Sequence, residues 1–139
     1  MNLLQQWKIN KMQDSLSILK KEGISLTLEN IPCIIEEMSF RVRSKKHPEE
    51  CPYYPKGTSC HFEVENLNCF LCACPNYESD KLAGGCKINS QKGRVHFHPN
   101  LPEGRIWDCS DCNINHTPDE IRRYLTKYIS ELSNCLATR

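Results

Sequence analysis

Cys69-Phe70-Leu71-Cys72-Ala73-Cys74 is the stretch on which the reading of this chain turns, three thiols within six residues. Its C-x2-C portion suits a knuckle in which two sulfurs face one ion while backbone amides point at them. Cys74 follows so closely that it is well placed to serve a different ion from Cys69 and Cys72. Downstream, Cys109-Ser110-Asp111-Cys112 with His116 after three further residues supplies a second compact ligand group, on a turn that leads into a helix. A looser third group consists of Cys51, the adjacent pair Cys60-His61, and Cys86 just after the Gly84-Gly85 turn. Adjacent residues such as Cys60 and His61 point in different directions, so they serve different ions or only one of them coordinates.

These ten candidates, Cys51, Cys60, His61, Cys69, Cys72, Cys74, Cys86, Cys109, Cys112 and His116, exceed the four ligands of one closed tetrahedral zinc site or one four-iron cluster. The count predicts two metal centres. Zinc is the favoured metal, because histidines stand among the thiols. An iron–sulfur cluster, alone or beside zinc, is the other candidate, although C-x2-C-x-C is not a ferredoxin spacing. Cys33 and Cys135 stand apart and read as bystanders. His96 and His98 alternate about Phe97 and read as exposed strand residues, and His47 as a linker residue.

The surroundings explain why metal is needed. The chain has 139 residues, ten of them cysteine, a hydrophobic share of 39% and a formal charge of +1. Apolar residues are sparse between Lys45 and Asp108, so burial alone would struggle against the entropy of ordering that region. The near-neutral balance argues against a nucleic-acid or anionic-membrane binder. No apolar run approaches a membrane span, and the N-terminus lacks the apolar stretch of a secretory signal. A cytoplasmic location follows, where thiols stay reduced and read as metal ligands rather than as a disulfide framework.

Two helices flank the metal region. Leu4, Trp7, Met12, Leu16 and Leu19 recur at helical spacing over residues 2–21, with Glu22-Gly23 as the stop. Thr117-Pro118-Asp119-Glu120 reads as an N-cap, a first-turn proline and a capping-box acid. It opens a helix whose apolar stripe is Ile121, Tyr124, Leu125, Tyr128, Ile129, Leu132 and Leu136. Between residues 24 and 43 the alternation Ile24, Leu26, Leu28 and then Met38, Phe40, Val42 predicts short strands, with Pro32 as an interruption. The basic run Arg41, Arg43, Lys45 and Lys46 reads as a solvated face. A short hairpin is expected around Gly93 to Phe97. The fold class is thus a small α+β, loop-rich, metal-stabilised domain with short hairpins and a C-terminal helix. Residues 1–45 form an N-terminal helix-and-strand extension and residues 46–139 the cysteine-rich domain.

Cys51-Pro52-Tyr53-Tyr54-Pro55 leading to Cys60-His61, then Asn68 through Tyr77, the double glycine, and Asp108 to Cys112 with His116 resemble the cysteine-rich small domain family over residues 49–130. That pattern has a cysteine before the double glycine, where this chain has Ala83 and places Cys86 after it. The resemblance implies a prokaryotic metal-binding domain, found alone or fused to threonine-phosphate decarboxylases of cobamide synthesis. Two functions stand against each other. One is a structural or accessory metal-binding module that presents a surface to a protein partner. The other is a small-molecule kinase, or an accessory of one, acting on L-threonine with ATP in cobalamin biosynthesis. Against the kinase, the chain carries no G-x4-G-K-[ST] loop.

Overall fold

The structure, a computed structural model, describes residues 1–56 and 67–137, with side chains of the last helix described to Asn134. Cys60, His61 and the side chains of Cys135 and Leu136 lie outside the described residues. Helix α1 (Leu3–Lys21) begins where Asn2 and Gln5 close a capping box. The Asn2 side chain accepts from the Gln5 amide at 2.8 Å, and the Gln5 side chain accepts from the Asn2 amide at 2.9 Å. It stops at Gly23, whose φ of +72° is the left-handed turn that glycine adopts without a Cβ penalty. The amides of Gly23 and Ile24 bond back to the Lys20 and Leu19 carbonyls and satisfy the helix end.

The segment expected as short strands is helical. A 3-10 turn (Leu28–Asn30) runs into helix α2 (Ile31–Glu37), followed by helix α3 (Phe40–Lys46) and a second 3-10 turn (Pro48–Glu50). Pro32 lies in the first turn of α2, where a missing amide costs nothing, so it starts a helix rather than breaking a strand. Ile31, Ile34 and Met38 fall three and four apart and all are buried, which only a helix allows. Ser39 then caps α3, its hydroxyl accepting from the Val42 amide at 3.3 Å. The alternation was an accident of runs too short to separate a period of 2 from one of 3.6.

The α+β class holds, with four helices and one two-stranded antiparallel sheet among the described residues. Strands β1 (Arg94–Phe97) and β2 (Arg105–Asp108) form the expected hairpin, in register Arg94 to Asp108 and Phe97 to Arg105. A third 3-10 turn (Ile114–His116) leads into helix α4 (Pro118–Ala137). Thr117 caps α4 as read, its hydroxyl accepting from the Glu120 amide at 3.3 Å, while the Glu120 carboxylate pairs with Arg123.

Among the described residues, one hydrophobic core joins α1, α2 and α4. Leu16 and Leu19 of α1, Ile31 and Ile34 of α2, and Ile121, Leu125, Ile129 and Leu132 of α4 surround Phe70 and Leu71. Those last two are the residues between Cys69 and Cys72, each 1% exposed. The core therefore holds the knuckle by its middle and leaves its thiols at the surface of the core. No helix among the described residues is long and apolar enough to cross a membrane.

Arg43 departs from its expected solvated position. It is 1% exposed, and its guanidinium meets Glu50 at 2.6 Å, Glu37 at 3.0 Å and Glu22 at 3.5 Å. A buried guanidinium needs such partners, and its fork reaches carboxylates from three separate segments. It ties the end of α1, the end of α2 and the approach to Cys51 into one unit.

Candidate metal centres

The knuckle is fixed by hydrogen bonds as well as by burial. Ser15 donates its hydroxyl to the Phe70 carbonyl at 2.8 Å, and Asn115 donates its side-chain amide to the Leu71 carbonyl at 2.7 Å. Asn68, 1% exposed, accepts from the Phe70 amide and donates to the Ile35 carbonyl at 2.7 Å. The Cys69 amide donates to the Met38 carbonyl at 2.8 Å. Buried loop backbone is tolerable only when its polar groups are paired in this way. The loop that carries the thiols is consequently rigid.

Seven of the candidate cysteines border two cavities. Cys51, Cys69 and Cys72 line one of about 110 Å3, together with Tyr54, Arg43 and Glu50. The Tyr54 hydroxyl donates to the Cys69 sulfur at 3.2 Å, and the Cys72 thiol to the Cys69 carbonyl at 3.2 Å. Together with the Cys72 side chain, which contributes most, Tyr54 and the Arg43 charge hold the Cys69 thiol below its ordinary pKa against the opposing effect of burial. Tyr54 is pushed well above its own usual value by burial, and the charges of Cys69, Cys72 and Cys51 add to the effect. The phenol therefore stays a donor.

Cys74, Cys86, Cys109 and Cys112 line the other cavity, of about 20 Å3, roughly the room for one water-sized sphere. Each arrives by a different device. Cys74 follows directly on the knuckle, yet it borders this cavity and not the one lined by Cys69 and Cys72. Cys86 is carried by an isolated bridge between Tyr77 and Cys86 behind the Gly84-Gly85 turn. Cys109 and Cys112 sit on the tight turn after β2, closed by the Cys112 amide on the Cys109 carbonyl at 2.9 Å. The Ser90 amide donates to the Cys86 sulfur at 3.4 Å, the amide-to-sulfur bond expected of a thiolate loop. The Ser90 hydroxyl lies 3.6 Å from the Cys112 sulfur.

Electrostatics tie these four together. Burial first, and then Cys74, Cys112, Asp108 and Cys86 as neighbouring negative charges, together push the Cys109 thiol up to about 11. Cys74 is likewise raised, by burial first and by Cys112 and Cys86, with the Asn76 amide pulling the other way. Sulfurs that oppose one another's ionisation form a site whose deprotonated state calls for a cation at its centre. Among the described residues no three His, Cys, Asp or Glu side chains are yet drawn close enough to hold an ion as they stand. The donor chemistry nevertheless fits: four soft thiolates suit zinc or an iron–sulfur centre.

His116 is buried in the turn that leads into α4. It is 2% exposed, with its Nδ1 2.7 Å from the Asn68 carbonyl oxygen and its own carbonyl accepting from the Asn68 amide at 2.8 Å. It thus braces the knuckle against the start of α4, and it lines neither thiol cavity. Cys60 and His61 lie outside the described residues. Sequence reasoning missed Tyr54, Asn68 and Ser90, which hold or hydrogen-bond the thiol-bearing loops. Tyr54 and Asn68 do adjoin the cysteines in the motif, and that adjacency was the available signal.

A zinc-finger-like model described as the cysteine-rich small domain matches residues 43–138. The chain belongs to the cysteine-rich small domain family. The match covers the buried Arg43, the seven cysteines that border the cavities and α4, and a zinc-finger-like, cysteine-rich family points to metal binding. Neither the curated proteins nor the solved structures return a match to this chain.

Proposed function

We propose that this member of the family is a metal-binding module with two separate centres, whose ions hold the loop-rich region in shape. Cys74, Cys86, Cys109 and Cys112 hold one ion. Cys51, Cys69 and Cys72 hold the other, with Cys60 or His61 as the fourth donor. The observation that carries this reading is the division of seven cysteines between two separate cavities. Zinc is the metal proposed, because a space of about 20 Å3 among four thiols suits a single ion better than a four-iron cluster. Bound there, a divalent ion supplies charge neutralisation and cross-linking, and closed thiolate sites of this kind are structural.

The test is elemental analysis of protein purified without oxygen, with an optical spectrum. Two zinc ions per chain and no visible absorption are expected. Cys109→Ser and Cys69→Ser should each release one ion and keep the other. Brown protein containing iron and sulfide, or loss of both ions in either variant, would contradict the assignment.

A further inference from the structure

Apart from the two thiol cavities, α1, α4, the knuckle and the segment Ala73–Pro75 line a cavity of about 510 Å3. That is a volume ordinary for a small-molecule site. Its apolar wall comes from Ile9 and Met12 of α1, Phe70 and Leu71 of the knuckle, and Tyr124 of α4. It opens beside a second cleft of about 350 Å3 that shares Lys8, Pro75 and Tyr124 with it. This cleft is cationic. Lys8, Lys87, Arg123 and Lys127 line it against one acid, Glu120, which is already paired with Arg123. In a chain of net charge +1 such a concentration is local, and clefts of one sign raise the concentration of counter-charged ligands.

Lys8 marks the junction. Its Nζ donates to the Pro75 carbonyl at 3.0 Å and the Tyr77 carbonyl at 3.2 Å, which fixes the ammonium in place and leaves one of its three protons undirected. Lys87 and Lys127 are exposed, and among the described residues neither pairs with a carboxylate; the Lys127 ammonium lies 5.2 Å from the centre of the Tyr128 ring, itself part of the cleft wall.

We propose that the joined cavity and cleft bind a small organic anion, its apolar body against Met12, Phe70 and Tyr124 and its phosphate or carboxylate among Lys8, Lys87 and Lys127. This goes beyond the metal reading and involves none of the thiols. The test uses the full metal-loaded chain, with amide chemical shifts and calorimetry. The probes are phenyl phosphate and phenylacetate, with inorganic phosphate and phenol as the two halves. Expected are shifts confined to Lys8, Phe70 to Ala73 and Arg123 to Lys127, and at least tenfold tighter binding of one whole anion than of either half. The stronger of the two whole anions identifies the headgroup. Lys87→Ala with Lys127→Ala, both at exposed positions, should weaken that anion at least tenfold, and Met12→Trp should abolish it while sparing inorganic phosphate. Binding unaffected by the lysine pair, shifts elsewhere, or binding of a glutamate-rich peptide but of neither aromatic anion would overturn the proposal.

Discussion

Replacing Arg43 by Met keeps most of the side-chain volume and removes the charge that three carboxylates share. Breaking a buried ion pair by deleting one partner costs about 3–5 kcal/mol, because the survivor is left uncompensated. Here the survivors keep some water, with side-chain exposures of 15% for Glu37, 23% for Glu50 and 25% for Glu22. The expected loss therefore lies at the low end, about 3 kcal/mol. For a chain of this length about 3 kcal/mol lowers the melting temperature by about 10 °C. The assay is urea and thermal unfolding of the metal-loaded protein, followed by circular dichroism between pH 3.5 and 7. Acidity supplies a second signature. Burial pushes the Glu22 carboxyl up, but the Arg43 hydrogen bond and the Lys46 and Arg43 charges outweigh it and hold the group below its ordinary 4.5. A depressed carboxylate contributes stability that is complete above 4.5 and is lost as pH falls through the folded-state value. The gap between wild type and Arg43→Met should accordingly narrow below pH 4.5. A gap under about 1 kcal/mol at neutral pH, or one that stays constant on acidification, would refute the view of Arg43 as the electrostatic tie of the N-terminal half.

Three further outcomes are expected. Phe70→Ala removes a ring with 1% exposure from between Cys69 and Cys72 and should cost about 3–5 kcal/mol in denaturant unfolding. Gly84 and Gly104 share a φ of +69°, but a Cβ on Gly84 would run into the Tyr77 hydroxyl while Gly104 has open space. Gly104→Ala should therefore lose about 1–2 kcal/mol and Gly84→Ala clearly more, the difference in melting temperature measuring the Tyr77 contact. Tyr54→Phe deletes the donor to the Cys69 sulfur and should weaken the metal held by Cys51, Cys69 and Cys72 about tenfold in chelator competition, leaving the other ion unchanged.

The elements legible in the sequence are those with punctuation. Thr117-Pro118 and the stripe from Ile121 mark α4, Gly23 ends α1, and the alternation about Phe97 marks the hairpin. Residues 24–46 were not legible, because runs of five residues fit a strand or a helix equally and only burial of Ile31, Ile34 and Met38 together decides. Arg43 was misread for a related reason: its partners Glu22 and Glu37 come from other helices, and a lone arginine in a basic run looks solvated. The thiols were partly legible. Their number and the close spacing of Cys74 pointed to two centres with Cys74 apart from Cys69 and Cys72, whereas only the fold shows Cys86, Cys109 and Cys112 bordering the same cavity as Cys74.

The proposed separation into two metal centres is tested most directly by cadmium-113 resonance of the protein loaded with that metal. Two signals are predicted, one in the range of four-thiolate sites, and Cys109→Ser should shift or erase that one while the other stays in place. A single signal, or two that both move with Cys109→Ser, would contradict the division of the cysteines described above.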